Sequence, residues 1–284
     1  MGSIISVVNR KGGVGKTTLS IGLADAFVSD FQLSTVVVDL DPQANATRCL
    51  LPDDKFEKSV DSQRNLKGFL SIEAQNLDRR PTDYVHGMIG TIRGRAHVAY
   101  ALMANSDSFW GYENEELRSG NEASFRARLE RAFLDLASFY DIVIVDCPPG
   151  QTISAEVALK HSHLVLCPIT PERMALWGKD LLKSYANETA PNVPVKFVVS
   201  MKQNNQTANQ FFEQIEQDPD VLKTPGQGTR FSSAYFSRSV RVQKHIESRR
   251  QNRHMHQLWG NKAQLELLNI ARAIKTELDE CESN

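Results

Sequence analysis

A glycine-rich segment near the amino terminus has the residue types and spacing of a loop that binds phosphate. It reads Asn9-Arg10-Lys11-Gly12-Gly13-Val14-Gly15-Lys16-Thr17-Thr18 and directly follows the apolar run 4–8. Glycines let successive backbone N–H groups point at one anion, and a helix beginning near Lys16 adds its positive end. Lys16 can then reach the β- and γ-phosphates of a nucleoside triphosphate, while the Thr17 hydroxyl ligates Mg²⁺. An ordinary glycine-rich turn is the alternative, which the strand before and the amphipathic helix after disfavour.

The loop departs from the standard pattern G-x-x-x-x-G-K-[ST] in one informative way. With Gly15-Lys16-Thr17 as its end, the first glycine should fall at position 10, where the chain has Arg10. Lys11 follows it, so the loop keeps small residues near the phosphates and gains a second cation at its mouth.

Carboxylates follow two further apolar runs. Asp39 and Asp41 come after the run 35–38, and Asp146 follows the run 142–145 before Cys147-Pro148-Pro149-Gly150. Open α/β sheets bind ligands at the carboxyl ends of their strands, where these side chains should meet. A single aspartate at a strand end is more often a turn or cap residue. Three of them beside a phosphate loop favour a site for Mg²⁺ and the attacking water.

Together these segments resemble the ParA/MinD family of ATPases. Lys11 to Thr18 looks like its deviant Walker A loop, Asp39 to Thr47 like the DxDPQxNAT segment of the ParA branch, and Asp146 to Gly150 like its Walker B segment. The resemblance implies an ATP-bound sandwich homodimer in which Lys11 reaches the partner's phosphates and Asp41 positions the hydrolytic water. The implied catalytic residues are Lys11, Lys16 and Asp41, and the implied metal-site residues are Thr17, Asp39 and Asp146. The implied nucleotide-binding loop consists of Lys11, Gly12, Gly13, Val14, Gly15, Lys16, Thr17 and Thr18.

Strand and helix patterns alternate along the chain and predict an α/β fold. We expect a doubly wound, mostly parallel sheet flanked by helices, of the P-loop NTPase type, in a single domain spanning 1–284. Residues 52–95 interrupt the alternation and predict an insertion or loose subdomain. A stripe of Leu267, Ala271, Ile274 and Leu278 predicts a carboxyl-terminal helix at about 261–280 docked on the protein. The pattern over 113–138 predicts largely helical structure, and the aromatic residues 109–112 can either pack or contact a partner.

Composition favours a cytoplasmic protein without a membrane anchor. The apolar fraction is 41%, the net charge is −1, and no apolar run is long enough to span a bilayer. The early apolar run enters the phosphate loop directly, so it reads as a core strand and not as a signal peptide. Four widely separated cysteines predict buried reduced thiols and no iron–sulfur or zinc site.

Charge is concentrated in the segment 223–254, which has eight basic residues and one acidic residue. Its net charge is +7, and the remainder of the chain has −8. Such a segment can be solvated surface. The separation of its positive charge from the negative remainder of the chain nevertheless favours sequence-independent attraction to DNA phosphates. The predicted DNA-binding residues are Arg230, Arg238, Arg241, Lys244, Arg249 and Arg250. By resemblance to the family, Pro225 and Gln227 would hold adenine; a simple turn is the alternative.

The sequence therefore predicts a ParA-type ATPase that uses ATP and Mg²⁺. The resemblance implies an ATP-dependent homodimer that binds DNA nonspecifically, associates with the nucleoid and positions a plasmid, chromosome origin or protein assembly. A ParB-like or other cargo adaptor would stimulate its slow hydrolysis. Two alternatives stay open: a MinD-like switch on a membrane surface, which the acidic carboxyl-terminal tail disfavours, and an ATP-dependent metabolic ligase on the same core.

Overall fold

The computed structural model describes residues 1–71, 80–92, 95–202, 206–225, 231–233, 235–237 and 255–282. The strands are β1 Ser3–Val7, β2 Thr35–Asp39, β3 Val85–Ile92, β4 Arg95–Met103, β5 Ile142–Asp146, β6 Leu164–Ile169, β7 Val195–Lys202, β8 Lys223–Pro225, β9 Phe231–Ser233 and β10 Tyr235–Ser237. The helices are α1 Lys16–Ala26, α2 Asn45–Leu50, α3 Asp53–Asp61, α4 Leu66–Leu70, α5 Ser108–Arg118, α6 Glu122–Phe139, α7 Ile153–Lys160, α8 Arg173–Thr189, α9 Gln206–Glu216 and α10 Met255–Glu282. A π-helical turn, Phe27–Phe31, extends α1, and a short 3₁₀ turn, Pro81–Asp83, precedes β3.

The main sheet has the strand order β10-β7-β6-β1-β5-β2-β4-β3. Neighbouring strands are parallel except for the antiparallel pair of β3 and β4. β8 and β9 form a separate antiparallel pair. The predicted fold class, a mostly parallel sheet flanked by helices, is confirmed.

Both faces of the sheet are covered, which explains why its central strands are mainly apolar. Successive side chains of a strand point to opposite faces. Ile4 and Val36 accordingly belong to one core with Phe125 and Phe133 of α6, whereas Ile5 and Val37 belong to the other with α1 and α10. A strand buried on both sides needs mainly apolar residues, and the buried Ser6 of β1 accepts a hydrogen bond from the Ser162 hydroxyl at 2.7 Å. This construction fixes the carboxyl ends of β1, β2 and β5 side by side.

The region 113–138 is largely helical, as predicted, but it is divided between α5 and α6. α5 ends at Arg118 because Gly120 adopts a left-handed conformation, with φ of 72°. The amides of Gly120 and Asn121 then donate to carbonyls of the preceding turn, those of Leu117 and Glu116.

Residues 52–95 contribute elements to the body of the fold. α4 places Leu66, Phe69 and Leu70 in the core under α6, and β3 forms the outer strand of the sheet beside β4. The amide of Leu66 also donates to the carbonyl of Ala104, at 2.9 Å. α4 and the chain that follows β4 are therefore joined directly.

α10, which is kinked at Gly260 where φ is 70° and ψ is 155°, lies against α1, the helix that follows the glycine-rich loop. The indole Nε1 of Trp259 donates to Asp25 at 2.7 Å, and Leu267 sits so close to Gly22 that a Cβ there would meet its Cδ2 at 2.6 Å. Leu267, Ala271 and Ile274 are fully buried. Across the described residues, no helix has the length and apolar composition needed to cross a bilayer.

The cysteines and the aromatic residues 109–112 divide between core and surface. Cys147 and Cys167 are buried free thiols, but Cys49 is only half-buried and Cys281 is exposed, so the prediction of four buried thiols was wrong for two of them. Burial raises the pKa of the Cys147 and Cys167 thiols, which therefore stay protonated. Phe109 is fully buried, whereas Trp110 is 60% exposed. Packing in the core thus accounts for the aromatic side chain at Phe109, but it does not account for the one at Trp110.

Candidate functional site

The glycine-rich segment forms the connection between β1 and α1, at the middle of the sheet. α1 begins at Lys16 with Gly15 as its N-cap, and no acidic residue lies in its first turn. The positive end of the helix is thus left for an external anion. Asn9 holds the other end of the loop in place through two hydrogen bonds. Its Nδ2 donates to the carbonyl of Pro168 at 2.7 Å, and its Oδ1 accepts a hydrogen bond from the Lys11 amide at 2.8 Å.

Two glycines in this loop are required by the backbone. Gly13 has φ of 74° and Gly15 has φ of 90°, both in the left-handed region. At Gly15 a Cβ would also come within 2.8 Å of the Ser200 hydroxyl. A side chain at this position would therefore strain the loop and push it away from β7, displacing the amides that precede Lys16.

The sheet register places two of the predicted carboxylates opposite each other. Asp39 ends β2 and Asp146 ends β5, and the two residues are direct partners in the parallel pairing of these strands. Val7, the last residue of β1, is the partner of Asp146 on its other side. Asp39, Asp146 and Lys16 are all buried. The sequence-predicted lysine and metal-site carboxylates are thus brought to one edge of the sheet.

Burial and the charges of neighbouring carboxylates raise the pKa values of both carboxyl groups. Burial, then the charge of Asp146, raises the pKa of Asp39 to about 8, although hydrogen bonds from Thr47 oppose the rise. Burial raises the pKa of Asp146 to about 6, opposed by the nearby Thr17 hydroxyl and the charge of Lys16. Two buried acids with raised pKa values at one strand edge are typical of a functional site.

A short turn holds Asp41 beside this pair. The amide of Gln43 donates to the Asp41 carboxylate at 2.9 Å, and the amide of Ala44 donates to the Asp41 carbonyl at 2.8 Å. Ala44 has φ of 52°, unusual for a residue with a side chain. Thr47 follows in α2 and donates to Asp39 through both its amide and its hydroxyl, each at 2.8 Å. The segment 39–47 is therefore folded around its own carboxylates.

Lys11 is paired within its own chain. Its Nζ donates to Glu172 Oε1 at 2.5 Å, and the two side chains are 58% and 47% exposed. The hydrogen bond from Lys11 lowers the pKa of Glu172 most, and a hydrogen bond from Thr170 lowers it further. An exposed pair of this kind contributes little to stability and is easily exchanged for another partner. Lys11 therefore lies at the mouth of the loop and apart from the buried lysine and carboxylates.

Of the remaining predicted site residues, some have a position in the described structure and others lie outside it. Val14 is buried under the loop, Gly12 is exposed, and Thr18 lies in the first turn of α1. Pro225 ends β8. The predictions that fall outside the described residues are Gln227, Arg230, Arg238, Arg241, Lys244, Arg249 and Arg250.

Three residues at the site were missed by sequence reasoning. Ser20 donates its hydroxyl to Asp146 Oδ1 at 3.1 Å, Glu172 holds Lys11, and Asn105 contacts the turn of Asp41. Ser20 lies one helical turn after Lys16 in α1, so the spacing could have indicated it. Glu172 and Asn105 carried no such signal, because each arrives from a distant part of the chain.

The carboxylates fit a divalent cation. The second oxygen of Asp146, Oδ2, is buried and has no hydrogen-bond partner of normal geometry in the described part of the chain, a costly state that a cation would relieve. Among those same residues no group of three or more His, Cys, Asp or Glu side chains forms a metal site on its own. Mg²⁺ in nucleotide sites characteristically takes one or two carboxylates and completes its shell with phosphate oxygens and water.

Comparison with known proteins identifies the family. A family model described as an AAA domain, AAA_31, matches residues 2–192, which include the phosphate loop and the three carboxylates. The chromosome partitioning protein ParA of Myxococcus xanthus (strain DK1622) is 33% identical over 178 residues, 63% of this chain and 56% of that protein. The chain belongs to the ParA family of ATPases. The match to this relative spans little more than half of the relative's length.

Solved structures share the ParA-family fold over nearly the whole chain. A plasmid partition protein of Borrelia burgdorferi B31 bound to AMPPNP aligns with a TM-score of 0.72 and 18% identity, over 98% of this chain and 100% of that one. A cobyrinic acid a,c-diamide synthase of Mycobacterium smegmatis aligns with a TM-score of 0.68 and 20% identity, over 97% and 94%. At such identities the likeness shows the fold alone, and the family assignment rests on sequence.

The raised pKa values predict how the stability of this ParA-family protein depends on pH without metal. Folded Asp39 and Asp146 bind protons more tightly than their unfolded counterparts, so stability falls as pH rises from the ordinary aspartate pKa of 3.8 toward about 8. We expect the melting temperature of the metal-free protein to drop by at least about 2 °C between pH 5 and pH 8. Differential scanning calorimetry measures it.

The matched control for this pH dependence is Asp39→Asn, which keeps an acceptor for Thr47 and does not ionise. Its melting temperature should fall less than that of the wild type over the same pH interval. Equal slopes in the two proteins would contradict the assignment of the pH dependence to this carboxylate pair.

Proposed function

We propose that this chain hydrolyses ATP with Mg²⁺ and that its ATP-bound dimer binds DNA nonspecifically to position a cargo. The observation that carries the proposal is the juxtaposition of buried Lys16 with Asp39 and Asp146 at the open end of α1. A phosphate group there would meet a helix N-terminus, a cation and backbone amides at once. Membership in the ParA family supports this assignment.

The residues of the chain have distinct roles in the proposed hydrolysis. Backbone amides of the loop 11–18 bind the phosphates, and Lys16 neutralises their charge. Thr17, Asp39 and Asp146 would hold Mg²⁺, which supplies further positive charge against the phosphate oxygens when bound. Asp41 orients the water that attacks the γ-phosphorus as its bond to the ADP oxygen breaks. Pro225 and Gln227 are the proposed adenine contacts.

Lys11 makes the proposed reaction depend on a second copy of the chain. In the single chain it rests on Glu172 at the rim of the site. Exchange of this exposed pair for a phosphate of a facing subunit costs little, because an ion pair of this kind contributes little to stability. A cation added in trans stabilises the charge of the transition state in the manner of an arginine finger. Slow hydrolysis would thus follow from rare completion of the site.

DNA is the proposed ligand of the ATP-bound dimer. The segment 223–254 has a net charge of +7 within a chain of net charge −1, and the proposed contacts are Arg230, Arg238, Arg241, Lys244, Arg249 and Arg250. Dimerisation doubles the number of phosphates that can be neutralised, so binding would depend on ATP and on salt. Stimulation of hydrolysis by a ParB-like or other cargo adaptor would release the protein from the nucleoid, within a cytoplasmic cycle.

One experiment tests the proposed function against its two rivals. Retention of the protein on random-sequence DNA and on anionic liposomes is measured with ATP, ADP and a nonhydrolysable analogue, alongside its sedimentation as monomer or dimer. We expect dimerisation and DNA retention with ATP and the analogue only, with retention lost over the range from about 50 mM to about 200 mM salt. Substitution of Arg238 and Arg241 by Glu should abolish retention and preserve the dimer.

The matched control for these charge reversals is Arg131→Glu, an exposed arginine on α6 outside the basic segment. It should retain DNA as the wild type does. Absence of ATP-dependent DNA retention at low salt would overturn the proposal. Retention on liposomes instead would favour the membrane switch, and ATP turnover that requires a small-molecule acceptor would favour the ligase.

A further inference from the structure

Asn105 is a buried amide that joins the two segments of the carboxylate cluster. It follows β4, is 1% exposed, and lies far in sequence from both partners. Its Nδ2 donates to the Asp41 carbonyl at 3.2 Å, and its backbone amide donates to the Thr47 hydroxyl at 2.9 Å. That hydroxyl in turn donates to Asp39. One residue therefore contacts the turn of Asp41 and, through Thr47, the carboxylate of Asp39.

The hydrogen bonds leave only one orientation for the Asn105 amide. Its Oδ1 accepts the backbone amide of Ser106 at 2.8 Å. A flipped amide would direct its oxygen at the Asp41 carbonyl and its NH₂ group at a backbone N–H, so both contacts would be lost. The asparagine amide meets both requirements of this position, because its NH₂ group donates to the Asp41 carbonyl and its oxygen accepts from the Ser106 amide. Aspartate has the same shape but, when ionised, offers acceptors alone.

The turn that Asn105 holds is strained and would relax without support. Ala44 occupies the left-handed region, and the Asp41 carbonyl accepts from both Ala44 and Asn105. A residue with a side chain adopts such a conformation only where its surroundings enforce it. The bond from Asn105 comes from a different strand of the sheet, so it ties the turn to the rigid end of β4.

We infer that Asn105 is a positioning residue for ATP hydrolysis, fixing the Asp41 turn so that the Asp41 carboxylate is held toward the attacking water. The inference rests on the proposed function of Asp41. Asn105 does not contact the nucleotide, so its loss acts on the water and leaves the phosphate loop intact. Hydrolysis depends steeply on such geometry, because displacement of a reacting group by about 1 Å can cost about 100-fold in rate.

The first test measures the turn itself, without nucleotide, in the full chain. Backbone hydrogen exchange at residues 43–47 is compared between the wild type and Asn105→Ala. We expect exchange to accelerate by about fivefold or more in the variant, the loss that one hydrogen bond represents. Unchanged protection at these amides would overturn the inference, whether or not the protein hydrolyses ATP.

The second test measures hydrolysis. For Asn105→Ala and Asn105→Asp, kcat should fall about tenfold or more while the dissociation constant for ATP·Mg²⁺ changes less than about twofold. An unchanged kcat in either variant would overturn the positioning role while the proposed function stood. A wild type without ATPase activity would overturn the proposed function and the catalytic part of the inference. The hydrogen-exchange comparison would then test only whether Asn105 stabilises the Asp41 turn.

Asn65 provides a matched structural control. It too is a buried asparagine whose Nδ2 donates to a carbonyl, that of Ser59 at 2.9 Å, and whose Oδ1 accepts an amide, that of Gly68 at 3.0 Å. These bonds cap α4 and do not reach the carboxylates. Asn65→Ala should lower the melting temperature as much as Asn105→Ala and leave kcat within about twofold of the wild type. An equal loss of kcat in both variants would show a general effect of destabilisation and overturn the inference.

Discussion

Replacing Lys16 with alanine is expected to abolish productive ATP binding. Lys16 is buried at the first position of α1, where its charge and the helix terminus act on the same anion. Charge-assisted contacts of a buried cation are the strong hydrogen bonds of a site, and we expect affinity for ATP·Mg²⁺ to fall about 100-fold or more. Isothermal titration calorimetry measures the loss, and hydrolysis should be undetectable.

The Lys16 substitution also has an electrostatic consequence that binding alone does not report. The charge of Lys16 lowers the pKa of Asp146, so its removal should raise that pKa further above the ordinary carboxyl range. A matched control is Lys196→Ala, which removes a partly buried lysine that pairs with Glu277 at 2.9 Å, remote from the loop. That variant should bind ATP normally, and wild-type affinity in Lys16→Ala would contradict the proposed phosphate contact.

Asp41→Ala is expected to preserve ATP binding, nearly abolish hydrolysis and trap the dimer on DNA. The Asp41 carboxylate contributes to the raised pKa values of Asp39 and Asp146. Its removal relieves that repulsion, so the metal site should not weaken. Loss of a group that orients the attacking water lowers kcat by about 100-fold to 10⁴-fold. Single-turnover hydrolysis and the lifetime of the protein on DNA measure the two effects.

A suitable control for the Asp41 variant is Asp141→Ala at the opposite edge of the sheet. Asp141 accepts the amide and the hydroxyl of Ser34, at 2.7 Å and 2.6 Å, so its removal disturbs a comparable local bond without approaching the loop. It should hydrolyse ATP at the wild-type rate. An Asp41→Ala dimer that still turns over normally would refute the water-positioning role.

The phosphate loop and the strand carboxylates could be predicted because their spacing is local. Gly13, Gly15 and Lys16 follow an apolar strand, and the backbone angles of both glycines confirm why only glycine suits those positions. The two-sided burial of β1, β2 and β5 likewise follows from their mainly apolar sequences. The break at Gly120 was missed because the apolar stripe that indicates a helix lies wholly after it, in α6.

The amino-acid sequence by itself determined the glycine-rich loop between β1 and α1, the parallel α/β fold and membership in the ParA family. These depend on contiguous residues, whose backbone conformations and apolar periods are properties of the local chain. Only the tertiary structure decided that Asp39 and Asp146 are register partners, that Glu172 holds Lys11, and that Asn105 braces Asp41. Those contacts join residues separated by tens to more than a hundred positions. The spacing of residues along the chain does not reveal which strand ends become neighbours in the sheet.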